Sequence, residues 1–147
     1  ILDKRIDRNK NKNIQTKKNI DFNIINEENI FSVCNILKVI KLNLPNNYIL
    51  TEECPSIVNY MNNIIAIDKP DTFYTFASGG LGWSMPASIG LAIGEKIKNK
   101  KNTRPVICLI GDGSFQYSIQ SLYTGVQQKC HVIYLVFQNF LISTKIR

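Results

Sequence analysis

An aspartate flanked by glycines, Asp112, follows a short apolar segment in the second half of this 147-residue chain. Asn139 follows the next apolar segment. Carboxylate and amide oxygens are hard ligands of the kind that Mg²⁺ prefers. Gly111 and Gly113 tolerate left-handed backbone angles and allow a ligand to come close, and a helix starting here would offer backbone N–H groups to an anion. Mg²⁺ together with a diphosphate fits this combination of groups.

The segments around Asp112 predict a strand–helix–strand unit. Val106–Ile110 has the length and composition of a buried parallel strand, and Tyr117–Gln128 has a helical period. Four apolar residues of that helix share one face: Ile119, Leu122, Tyr123 and Val126. His131–Phe137 is a second apolar run. Because parallel strands of such a unit end at the same edge of the sheet, Asp112 and Asn139 are expected there, where open α/β sheets bind ligands.

Strands and helices alternate in the preceding part of the chain as well. The predicted elements are a helix at Ile30–Leu42, a strand at Tyr48–Thr51, a helix at Ser56–Ile67, a strand at Phe73–Phe76 and a helix at Ala87–Lys98. This alternation favours an α/β fold, a parallel sheet flanked by helices on both faces. Residues 1–29 are rich in Lys and Asn without a sustained period, which predicts a polar linker or the end of a preceding domain. The expected domain is therefore residues 30–147.

Two further groups lie where predicted strands end or helices begin. Gly79–Gly82 is a glycine-rich turn after a strand, but it lacks the G-x-G-x-x-G spacing of dinucleotide sites. Ser56 and Ser114 each stand near the start of a predicted helix, where a hydroxyl can bind an anion or cap the helix. The residues leave two alternatives open, namely ligand contacts or a tight turn with a core leucine and two helix caps.

The composition excludes several classes of protein. The formal charge is +7, but seven of the 18 basic residues lie in the polar run from Lys4 to Lys18, and no recognition motif accompanies them, so no nucleic-acid partner is expected. A single histidine excludes a His-based metal cluster. Four cysteines without a C-x-x-C pair favour a reduced, intracellular protein. The apolar runs are shorter than the roughly 18 residues that a membrane span needs.

Together these motifs resemble the cofactor motif of the thiamine-diphosphate-dependent enzymes. That motif runs from GDG to a downstream asparagine, and here 25 residues separate GDG from Asn139. The segments Ala77–Gly82, Pro86–Gly90 and Gly111–Ser114 are most similar to the benzoylformate decarboxylase branch. The resemblance extends from about Phe31 to Asn139. It implies the thiamine-diphosphate-binding fold of the C-terminal domain, truncated at its C-terminus.

The resemblance implies that Mg²⁺ and the cofactor's diphosphate bind beside Asp112. In the family an aspartate, an asparagine and a backbone oxygen two residues further on bind the metal; these positions correspond to Asp112, Asn139 and Leu141 here. Gly113–Ser114 matches the family's diphosphate contacts, as does Ser56.

The glycine turn matches the part of the family site that holds the middle of the cofactor. The backbone carbonyl of Gly79 corresponds to the acceptor for the aminopyrimidine, with Gly80 beside it. Leu81 corresponds to the bulky apolar residue under the bent cofactor. Pro55 stands where the benzoylformate enzymes can carry a hydroxyl residue, which implies the loss of one diphosphate contact.

By resemblance the whole protein is a cytoplasmic 2-oxo-acid decarboxylase whose thiamine diphosphate and Mg²⁺ lie between subunits of a homo-oligomer. The activating glutamate belongs to a pyrimidine-binding domain outside this chain, so Glu52 and Glu53 are expected to be structural or solvated. No catalytic residue and no turnover are expected of the chain alone. Two alternatives remain, a fragment of an acetolactate synthase or oxalyl-coenzyme A decarboxylase, and a non-enzymatic truncated remnant.

Overall fold

The computed structural model describes residues 32–99 and 102–138, which form four strands and five helices. In chain order these are α1 (Val33–Asn43), β1 (Ile49–Glu53), α2 (Val58–Ile64), β2 (Phe73–Thr75), α3 (Ser84–Lys98), β3 (Val106–Gly111), α4 (Asp112–Tyr117), α5 (Ser121–Gln127) and β4 (Val132–Phe137). The predicted alternation is confirmed, except that the last helix is two helices. None of the helices in the described part of the chain is long and apolar enough to cross a membrane.

The four strands form one parallel sheet in the order β2-β1-β3-β4. β1 pairs with β3 from Ile49 opposite Val106 to Glu53 opposite Ile110. β3 pairs with β4 up to Gly111 opposite Phe137. After β1 the chain continues to one side of the sheet, and after β3 it continues to the other. The boundary between β1 and β3 is therefore the point at which the strand order reverses.

Both faces of the sheet are covered by helices, as expected. Leu50 of β1 and Leu109 of β3 pack under α1 and α2 on one face. Ile49, Cys108 and Ile110 lie on the other face, under α3 and α4. Because β3 is central and covered on both sides, all five residues of its apolar run are buried. This explains why its sequence is continuously apolar rather than alternating.

The single helix predicted for Tyr117–Gln128 is wrong. α4 ends at Tyr117, three turn residues follow, and α5 contains no buried residue. The expected apolar face is divided, since Leu122 packs against the core while Tyr123 and Val126 are 71% and 78% exposed. Gly125 lies against α3 instead, where an added Cβ would stand 3.3 Å from the Cδ1 of Ile89. The break rotates α5, so a glycine and not the apolar stripe faces α3.

An ion pair joins the end of α3 to the loop before β3. Nη2 of Arg104 lies 2.5 Å from Oε1 of Glu95, and Nε donates to Oε2 at 3.0 Å, while the side chains are only 15% and 6% exposed. Nη1 of the same arginine donates to the carbonyl of Asp71 before β2. The hydrogen bonds from Arg104 lower the pKa of Glu95 from its ordinary value of 4.5 to about 2. The guanidinium thus ties the end of α3 to the loops before β2 and β3, at the edge where the strands begin.

This ion pair predicts a loss of stability in acid. Because the pKa of Glu95 is lower in the folded state, its contribution is complete above about pH 4.5 and is lost as the pH falls towards 2. Between about pH 5 and pH 2 the free energy of unfolding of the wild-type chain should fall more than that of Glu95→Gln, by up to about 3 kcal/mol. Urea denaturation across this range measures the difference. Equal pH dependence in the two proteins would contradict the assignment.

Candidate functional site

The carboxyl edge of the sheet at the β1–β3 boundary brings together two of the predicted segments. Cys54 follows β1, and Asp112 follows β3. A Cβ added to Gly111 would lie 3.7 Å from the Sγ of Cys54 and 3.9 Å from the backbone oxygen of Glu53. The two strand ends are therefore in close contact. Ligands of open α/β sheets bind in the crevice outside such a reversal of strand order.

Asp112 is the first residue of α4 and is half-buried. Its Oδ1 accepts a hydrogen bond of 2.9 Å from the backbone N–H of Gly113. In the described part of the chain no three His, Cys, Asp or Glu side chains come together as a metal-binding group. Mg²⁺ is usually held by one or two carboxylates together with substrate phosphates and water, rather than by a cage of acidic side chains. One carboxylate at this edge therefore fits a magnesium diphosphate.

Ser114 lies deeper in the same segment. It is the third residue of α4, 5% exposed, and its Oγ would be 3.9 Å from a Cβ placed on Gly111. The N-cap of α4 is Gly111, with extended backbone angles, so the alternative of Ser114 as a helix cap is wrong. Its hydroxyl lies close to Gly111, the residue before Asp112, instead.

Ser56 is exposed in the turn between β1 and α2. Its Oγ lies 3.4 Å from the Sγ of Cys54. The N-cap of α2 is Ile57, without a side-chain capping bond, so a capping role for Ser56 is wrong as well. Burial is the main cause that raises the pKa of the Cys54 thiol, which keeps that group neutral beside the crevice.

The glycine turn leaves β2 at the same edge of the sheet. Gly79 and Gly82 have φ angles of +74° and +95°, which L-residues with side chains rarely adopt. Gly80 is exposed, and Leu81 is 44% exposed. The alternative of a core leucine is therefore wrong. An apolar side chain exposed at this edge of the sheet is available to contact a bound molecule.

Glu52 and Glu53 were expected to be structural or solvated; they are buried at 2% and 0% exposure, which fits the structural alternative and excludes the solvated one. Glu52 accepts from the backbone N–H of Cys54 at 2.5 Å and from Oγ1 of Thr75 at 2.9 Å. Glu53 accepts from the backbone N–H groups of Gly82 and Ser84 at 2.6 and 2.5 Å. The signal in the sequence was a carboxylate at the end of a fully buried strand, where it needs hydrogen-bond donors.

The remaining predicted ligands lie outside the described residues. These are Asn139 and Leu141. β4 ends at Phe137, which is paired with Gly111 immediately before Asp112. The described strand therefore leads to the Asp112 edge, two residues before the asparagine.

Comparison with known proteins places the chain in a family. Residues 56–144 match the family described as thiamine pyrophosphate enzyme, C-terminal TPP binding domain. Benzoylformate decarboxylase of Pseudomonas aeruginosa is 28% identical over 104 residues, which is 71% of this chain and 19% of that protein. The acetolactate synthase large subunit of Buchnera aphidicola is 44% identical over 62 residues, 42% of this chain and 10% of that protein.

Solved structures of the same kind share the fold. The benzoylformate decarboxylase of Polynucleobacter necessarius is 52% identical, with a TM-score of 0.71 over 83% of this chain and 22% of that one. A thiamin diphosphate-dependent enzyme of Mycobacterium smegmatis is 31% identical, with a TM-score of 0.70 over 74% of this chain and 20% of that one. The chain spans about a fifth of the length of these relatives. It belongs to the thiamine pyrophosphate enzymes, within their C-terminal cofactor-binding domain.

Proposed function

We propose that this chain binds the diphosphate of thiamine diphosphate, together with Mg²⁺, as part of a 2-oxo-acid decarboxylase similar to benzoylformate decarboxylase. The observation that carries the proposal is the position of Asp112 at the carboxyl end of β3, beside the reversal of strand order between β1 and β3. Family membership identifies the kind of ligand, and the geometry identifies the edge at which it would bind.

The metal and diphosphate would be held by the ends of β1, β3 and β4. Asp112 supplies a carboxylate oxygen, and Asn139 and the backbone oxygen of Leu141 would complete the protein's ligands to Mg²⁺. Gly113–Ser114 and Ser56 would donate hydrogen bonds to the diphosphate, Ser114 from its buried position and Ser56 from its exposed turn.

The middle of the cofactor would contact the glycine turn. The carbonyl of Gly79 would accept from the aminopyrimidine, and Gly80 leaves room for close approach. The exposed side chain of Leu81 would pack against the cofactor and would exclude water from one side of it. When bound, thiamine diphosphate supplies the electron sink that decarboxylation of a 2-oxo acid requires.

The chain alone would lack turnover. We propose that residues 1–29, which lie outside the described residues, are a polar linker or the end of a preceding domain. We also propose that a pyrimidine-binding domain of another subunit in a homo-oligomer supplies the acid–base group. The four cysteines are free thiols, which suits the cytoplasm.

With cofactor, Mg²⁺ and benzoylformate, the purified chain should release carbon dioxide no faster than a buffer control. Release above that background would contradict the proposal that the acid–base group comes from another domain.

Calorimetric titration of the purified chain with thiamine diphosphate, with and without Mg²⁺, tests the proposal. We expect binding that requires Mg²⁺, because the diphosphate and the Asp112 carboxylate repel each other unless a cation lies between them. A chain that circular dichroism shows to be folded, and that binds no cofactor with Mg²⁺, would refute the proposed function.

A second candidate function differs in the reaction of the whole protein. The 44% identity to an acetolactate synthase over 62 residues favours an acetolactate synthase-like enzyme as the alternative. Both branches use the same cofactor, so the binding proposal is common to them. The other alternative is a truncated remnant that binds nothing. In that case the titration would detect no binding of thiamine diphosphate.

A further inference from the structure

Glu53 has a fully buried carboxylate, and both of its oxygens accept hydrogen bonds from the backbone. Oε1 accepts from the N–H of Gly82 at 2.6 Å, and Oε2 accepts from the N–H of Ser84 at 2.5 Å. Within residues 32–99 and 102–138 these two N–H groups are the only hydrogen-bond donors to the Glu53 carboxylate, and no basic side chain forms an ion pair with it. A buried charge is tolerated only when it is hydrogen-bonded in this way.

The bond to Ser84 gives α3 a cap from outside the helix. Ser84 is the first residue of this 15-residue helix, and the N-cap residue, Trp83, makes no side-chain capping bond. The first N–H groups of a helix have no partner within it, and a negative charge is favourable at this end. Glu53, from the end of β1, supplies both the acceptor and the charge.

The bond to Gly82 fixes the last residue of the glycine turn between two elements. On its other side, a Cβ added to Gly82 would lie 3.0 Å from the Cβ of Tyr117 and 3.7 Å from the Oγ of Ser118. These residues form the end of α4, which begins at Asp112. Glu53 thus joins the glycine turn to the strand next to β3, at a point where α4 also contacts that turn.

We propose that Glu53 is a positioning residue that holds the Gly79–Gly82 turn in register with the Asp112 turn, so that one ligand can contact both. This inference rests on the proposed cofactor site. Glu53 does not contact the ligand itself, because its side chain is fully buried and directs both oxygens to backbone N–H groups. It sets the distance between the end that holds the diphosphate and the turn that holds the middle of the cofactor.

The test compares two ligands, thiamine diphosphate and inorganic diphosphate, each with Mg²⁺, on the whole chain. Inorganic diphosphate reports on the Asp112 end alone, whereas thiamine diphosphate also depends on the glycine turn. In Glu53→Gln the new amide NH₂ faces one of two N–H donors, so one hydrogen bond is lost. We expect thiamine diphosphate to bind about tenfold more weakly, as for the loss of one hydrogen bond to a charged group, while inorganic diphosphate changes less than about twofold.

Glu52→Gln is the matched control, since Glu52 is an adjacent and equally buried carboxylate. Its partners are one N–H and the Oγ1 of Thr75, and a hydroxyl can accept from the new amide, so both ligands should bind as in wild type. Glu53→Asp should also weaken thiamine diphosphate selectively, because the shorter side chain cannot reach both N–H groups.

The outcomes separate this inference from the proposed function. If wild type binds both ligands and Glu53→Gln weakens only thiamine diphosphate, the positioning role is supported. If Glu53→Gln weakens both ligands in parallel, or neither, the inference is overturned while the proposed function stands. If folded wild type binds neither ligand, the proposed function is refuted and the inference with it.

Discussion

Replacing Asp112 by asparagine is expected to lower the Mg²⁺-dependent affinity for thiamine diphosphate by at least about 100-fold. The amide removes the negative charge that would face the metal, and changes in the surroundings of metal ligands alone cost about 10–100-fold. The new side chain keeps the oxygen that accepts from the N–H of Gly113, so the fold should be unaffected. Calorimetric titration with Mg²⁺ measures the change, and circular dichroism checks the fold.

Asp68→Asn provides the control for this substitution. Asp68 lines a cavity of about 50 Å³ at the edge where the strands begin, opposite to Asp112. It carries the same change in charge and should bind the cofactor as wild type does. Equal affinities for all three proteins would show that the carboxylate of Asp112 does not hold the metal.

Replacing Gly82 by alanine is expected to destabilise the fold and weaken cofactor binding together. Gly82 has a φ of +95°, and the added Cβ would stand 3.0 Å from the Cβ of Tyr117. A backbone angle of this kind costs a non-glycine residue about 1–3 kcal/mol, and relief of the contact would displace the turn from α4. We expect the free energy of unfolding in urea to fall by about 2–3 kcal/mol.

Gly90→Ala is the matched control, because Gly90 lies within α3 and an added Cβ would meet nothing within 4 Å. Alanine is a better helix former than glycine, so this protein should gain about 0.5–1 kcal/mol. If Gly82→Ala were as stable as Gly90→Ala, the result would contradict both the positive φ of Gly82 and its close contact with Tyr117.

The sheet could be predicted from the sequence because its signals are local. Val106–Ile110 is continuously apolar, as a strand covered on both faces must be, and helical periods separate the strands. The break at residues 118–120 could not be predicted, because the apolar period continues through Ile119 and Leu122 without a proline. The break accompanies a tertiary contact, since Ser118 is buried and lies close to Gly82.

The candidate site was predictable in part for the same reason. Asp112 is marked by its flanking glycines and by the strand before it, and the structure places it at the expected edge. The contacts of Glu53 could not be predicted, because its partners lie 29 and 31 residues further along the chain. Its role depends on the order of the strands, which local patterns do not contain.

The most direct test of the central claim is to locate the metal in the bound chain by NMR with Mn²⁺ in place of Mg²⁺. In the presence of thiamine diphosphate, Mn²⁺ should broaden the amide signals of Gly111–Ser114 first. The signals of Asp68 and Thr72, at the opposite edge of the sheet, should stay sharp. Cofactor binding with the Asp112 segment unbroadened, or with both edges broadened alike, would contradict a magnesium diphosphate site at Asp112.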